Sequence, residues 1–126
     1  MPVSCAPRRV ATWRGEFGPA GGTLIFGESR LLIPGGALHD TVTISATPLG
    51  DGTSTVKFEP EGLHFYKPVG LVLDGNGCSL PSEGAVSVVY LDDEGNVRET
   101  IPALYDPHWK VVAAPIVHFS GYAIAF

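Results

Sequence analysis

The 126-residue chain carries a net charge of −5, and its eight Lys and Arg are scattered apart from Arg8-Arg9; this excludes the basic stripe of a nucleic-acid-binding surface. No apolar run approaches the roughly 18 residues that a membrane-spanning helix needs. Hydrophobic residues make up 44% and charged residues only 17%, with 16 Gly and 11 Pro punctuating short segments, which argues for one all-β domain with a substantial core.

Residues 1–17 have weak periodicity and read as an N-terminal arm. Met1 to Ala11 contain Arg8-Arg9 with no apolar stretch after them, so this stretch is not a signal peptide. The patterned domain runs over residues 18–126. It begins at the turn cluster Gly18-Pro19-Ala20-Gly21-Gly22, followed by short strands at Thr23 to Phe26 and Arg30 to Ile33, the second closed by Pro34-Gly35-Gly36. Thr41 to Thr47 alternates cleanly: Val42, Ile44 and Ala46 share one face, so this is a half-buried strand. Thr53 to Phe58 is a strand that ends in the turn Glu59-Pro60-Glu61-Gly62. Lys67 to Leu73 places Val69, Leu71 and Leu73 on one face and stops at Asp74-Gly75-Asn76-Gly77. Ala85 to Leu91 and Val97 to Ile101 flank Asp92-Asp93-Glu94-Gly95-Asn96 as a hairpin. His108 to Ala113, Ile116 to Ser120 and Tyr122 to Phe126 complete about nine or ten short strands, the pattern of a two-sheet antiparallel β-sandwich.

Few residues in this pattern carry chemistry. His39, His64, His108 and His118 show no close paired spacing, so no metal site is expected from them. Asp74-Gly75-Asn76-Gly77 opens like a calcium loop, but Cys78 and Ser79 follow where an EF-hand requires Asp or Asn and then Gly; it reads as a turn. Asp92, Asp93 and Glu94 read as a solvated hairpin tip rather than a cation site. Gly27-Glu28-Ser29-Arg30 lacks the last glycine of a nucleophile elbow, and no glycine-rich phosphate loop precedes a helix. No cofactor is expected. Cys5 and Cys78 form no Cys-x-x-Cys pair; they either join in one disulfide or stay separate thiols, and the loose arm around Cys5 favours separate thiols.

His118-Phe119-Ser120 is the one place where covalent chemistry can be written. In a continuous strand, His118 and Ser120 share a face and Phe119 points into the core. A serine hydroxyl needs a base, and imidazole, with a pKa of about 6.5, is the usual one. Attack of the Ser120 hydroxyl on the Phe119 carbonyl would convert an amide to an ester, which water then opens. A planar trans peptide holds that hydroxyl away from its own carbonyl, so the fold must supply strain. Local chemistry alone favours an ordinary closing strand, with Phe119 buried and His118 hydrogen-bonded.

Four segments taken together resemble the ZU-five domain family, shared by tight-junction scaffolds, netrin receptors of the uncoordinated-five type and ankyrins. They are Gly18-Pro19-Ala20-Gly21-Gly22-Thr23-Leu24, Leu31-Leu32-Ile33-Pro34-Gly35-Gly36-Ala37-Leu38, the stretch from Phe58 through Pro60, Gly62, Leu63, Phe65 and Pro68 to Leu71, and His118-Phe119-Ser120-Gly121-Tyr122. The likeness covers about residues 18–126 and looks closest to bacterial members. It implies a β-sandwich that works as a non-catalytic interaction or structural module, with a protein partner or neighbouring domains and an exported or cell-surface setting. Some death-domain relatives cleave themselves between Phe and Ser of a His-Phe-Ser site, which would make His118 the base, Phe119 the scissile carbonyl and Ser120 the nucleophile. This chain departs from that type by ending at Phe126, so cleavage would free only the seven residues 120–126. A third expectation is a carbohydrate- or ligand-binding sandwich that uses Trp13, Tyr105 or Trp109.

Overall fold

The alternation of Thr41 to Thr47 becomes an interior strand, Val42–Pro48, with Ile44 and Ala46 fully buried. A computed structural model describes residues 3–6, 11–50, 52–80, 86–92, 94–119 and 121–125; Arg8-Arg9, Asp93 and Ser120 lie outside these ranges. Among the described residues there are eleven strands: β1 Trp13–Phe17, β2 Gly22–Phe26, β3 Ser29–Ile33, β4 Val42–Pro48, β5 Val56–Glu59, β6 His64–Asp74, β7 Ser87–Leu91, β8 Val97–Pro102, β9 Leu104–Asp106, β10 Val111–His118 and β11 Gly121–Ala125. They form two antiparallel sheets, β1-β4-β5-β11-β7-β8 and β2-β3-β6-β10-β9, packed as a β-sandwich.

The core lies between the sheets. Leu31, Leu71 and Ile116 enter it from the five-stranded sheet, and Ile44, Phe58, Tyr122 and Ile124 from the six-stranded one. Phe58 sits at its centre, edge-on to Phe26 at 5.5 Å and stacked on Phe119 at 5.0 Å. Gly21 has φ 76° and hydrogen-bonds Gly18, and a Cβ there would run into the Ile33 carbonyl, so the turn before β2 requires glycine.

Besides the added short strand β9, two segments depart from the sequence expectation. Trp13–Phe17, inside the expected arm, pairs with β4 as an edge strand from Trp13↔Ala46 to Phe17↔Val42. Farther upstream, Val3 is buried and donates to the Ile124 carbonyl, while Ala6 N–H bonds Gly77 and Ser79 N–H bonds Ser4. That pairing lays Cys5 beside Cys78, and the two are joined as a disulfide rather than left as separate thiols. The second departure is β10, which runs unbroken through Pro115. Strand β9 pairs only with Val111, Val112 and Ala113, so no third strand requires an N–H donor at Pro115.

Candidate functional site

The His118-Phe119-Ser120 segment spans a change of sheet. Strand β10 ends at His118 in the five-stranded sheet, and β11 starts at Gly121 in the six-stranded one. The shared-face argument for His118 and Ser120 needs one continuous strand, and β10 stops before it can apply. Ser120, the expected nucleophile, lies outside the described residues.

Phe119 is 1% exposed, its ring held between Phe58 and Phe65, each with its centroid 5.0 Å away. Its backbone is paired on both sides: the Phe119 N–H donates to the Leu63 carbonyl at 2.9 Å, and its own carbonyl accepts from the Gly62 N–H at 3.3 Å. The Pro60-Glu61-Gly62 turn that the sequence marked thus places one backbone donor on the carbonyl that a self-cleaving reaction would attack.

His118 has more partners than the sequence suggested. It lies directly across from His64 in the β10–β6 register, with ring centroids 5.8 Å apart. Tyr90 meets its ring edge-on at 4.6 Å. The Tyr122 hydroxyl donates to the His118 carbonyl and also lies 3.3 Å from its Nδ1. The hydroxyl has one hydrogen, and the carbonyl takes it. With that hydrogen on the carbonyl, the tautomer assigned to His118 is the one in which Nδ1–H donates to the Tyr122 oxygen and Nε2 carries the lone pair. Burial, reinforced by Tyr90 and Glu99, pushes the Tyr122 pKa well above the ordinary tyrosine value, so the hydroxyl keeps its proton. Sequence spacing missed this group because His64, Tyr90 and His118 come from three strands far apart in the chain. Each sits on its strand at an unremarkable position.

The other expected sites resolve as turns or separate surfaces. Asp74 Oδ1 accepts from the Asn76 N–H at 3.1 Å and from its Nδ2 at 2.6 Å, which closes an Asx turn. Asp92 accepts from the N–H groups of Glu94 and Asn96 and pairs with Arg98 at 2.9 Å; the Asn96 bond leads in holding its carboxyl below the usual range. Trp13 stands on β1 of one sheet and Tyr105 on β9 of the other, while Trp109 lies in the turn after β9, so the three aromatics build no common platform. Among the described residues no three His, Cys, Asp or Glu side chains gather, and no helix is long and apolar enough to cross a membrane.

The outer face of the five-stranded sheet is a feature that the sequence did not single out. Cross-strand register aligns Arg30, Val72, Ala113 and Leu104 in one row and Leu32, Gly70 and Pro115 in the next. Leu104 is 80% exposed, Ile25 63% and Leu32 42%. Leu32, Pro68, Gly70, Val72, Leu104 and Pro115 line an open depression of about 460 Å³ on this face. No protein-family model matches the chain, and no curated protein matches it.

Proposed function

We propose that the chain is a non-catalytic interaction module of the ZU-five kind that binds a protein partner through the outer face of its five-stranded sheet. The carrying observation is that apolar depression. Contiguous exposed apolar surface on a sheet marks an association site. Its lining offers almost no side-chain hydrogen-bonding groups with which to read a sugar or a nucleotide. The net charge of −5 opposes anionic lipid and nucleic acid. An apolar protein surface is the occupant that this chemistry fits. The test places Leu32→Glu and Leu104→Glu on the face and compares proteins retained by the wild type, by this variant and by an Arg98→Glu control on the six-stranded sheet. A partner that is lost only with the face variant, and that rebinds purified wild-type chain, supports the reading. Equal retention by all three overturns it.

Self-cleavage at Phe119–Ser120 is a second reading, favoured by the Gly62 N–H on the Phe119 carbonyl and by the free Nε2 of His118. In it the Ser120 hydroxyl gives its proton to the imidazole and bonds the Phe119 carbon. The C–N bond breaks, the proton passes to the freed amine, and water then opens the ester. Strand β11 lies between β5 and β7 and would stay in the sheet after the cut. The mass must therefore be taken after denaturation. Loss of residues 120–126, abolished by Ser120→Ala, establishes cleavage; one full-length species after long incubation at neutral pH rules it out.

A further inference from the structure

We propose that His64 and His118 form a two-histidine site for a divalent transition ion, with zinc as the fitting class, its remaining positions filled by water.

Three observations carry it. First, His64 on β6 and His118 on β10 are cross-strand partners, paired beyond the register shift that follows Ile116. Second, the rings are at a bridging separation. With a metal–nitrogen bond of about 2.0–2.1 Å and tetrahedral geometry, two imidazoles on one ion have centroids about 5 Å apart. The observed 5.8 Å needs only small side-chain rotation to close, and His64 is exposed and free to make it. Third, His118 is already oriented as metal-bound histidines are. Its Nδ1–H is held by the Tyr122 oxygen, which itself is anchored on the His118 carbonyl, so Nε2 presents the lone pair. Imidazole nitrogens suit zinc, copper and nickel far better than calcium or magnesium. The protein's net negative charge adds long-range attraction for a cation. An ion there would tie β6 to β10 at the edge where the chain changes sheet, and it would occupy the lone pair that the self-cleaving reading uses as a base. The site itself depends on neither functional reading.

The experiment is calorimetric titration of zinc chloride into chelator-treated, disulfide-bonded full chain, with histidine ring shifts followed by NMR. One ion per chain is expected, with the shifts at His64 and His118. His64→Ala and His118→Ala should each weaken binding at least about tenfold. His39→Ala and His108→Ala should leave it unchanged. Tyr122→Phe, which keeps both ligands but removes the oxygen that holds Nδ1–H, should weaken it by about tenfold. Thermal melts without zinc establish that each variant is folded, and His64, being exposed, is the safest substitution. No binding by the wild type, or binding that His64→Ala leaves intact, overturns the proposal.

Discussion

At Phe119 the chain leaves one sheet for the other, and the ring wedged between Phe58 and Phe65 fixes that crossing. Phe119→Ala opens a cavity at the sandwich centre and should cost about 3–5 kcal/mol in urea unfolding. A loss below about 1 kcal/mol would mean that the ring is not packed as described. Tyr122 belongs to the same cluster, with its neutral form favoured by burial. A tyrosine whose folded pKa is raised contributes stability that is fully present below the unfolded value of about 10 and is lost as pH rises through the folded one. Wild-type stability should therefore fall as pH rises above about 10, and the Tyr122→Phe variant should fall less over that range. Parallel slopes in urea midpoints would contradict this. The burial of Phe119 was legible in the tripeptide, because an aromatic between two polar residues suits a core anchor. The partners of His118 were not, because cross-strand neighbours are set by register and no local pattern encodes register across distant strands.

Among the elements, the β7–β8 hairpin shows how far local chemistry reaches. Asp92 gathers the Glu94 and Asn96 amides and the Arg98 side chain at the tip the sequence marked. Asp92→Ala should speed amide exchange at Glu94 and Asn96 while leaving the remote β1–β4 pairing unchanged. Because the folded carboxyl is held below its ordinary pKa, chiefly by Asn96, this support is present above about pH 4 and is lost as pH falls through the lower folded value. Strands β1 and β9 were hidden for a different reason. Trp13–Phe17 alternates only between half-buried and exposed, and Leu104–Asp106 is three residues long, so neither carries the strong apolar alternation of β4. Edge strands need only one partner and one covered face, which leaves a weak sequence trace.

For the molecule as a whole, the Cys5–Cys78 bond closes a loop across a separation of 73 residues. Constraining the unfolded chain over that span contributes about 4 kcal/mol in the chain-entropy account. Reductant should lower the urea midpoint of the wild type and leave a Cys5→Ser, Cys78→Ser double variant unaffected. Identical midpoints with and without reductant would show that the bridge adds nothing.

By itself the sequence determined the all-β class, the two-sheet plan, the turns at Gly21, Asp74 and Asp92, and the apolar faces of β4 and β6. Each of these follows from local backbone preference and from an alternation of two residues. Only the tertiary structure decided that Cys5 and Cys78 join, that the N-terminal segment enters the sandwich, that His64 faces His118, and that Leu32, Gly70 and Leu104 share an exposed surface. Those are facts of register between strands many residues apart, and register is fixed by how the two sheets fill one core, a property no single segment carries.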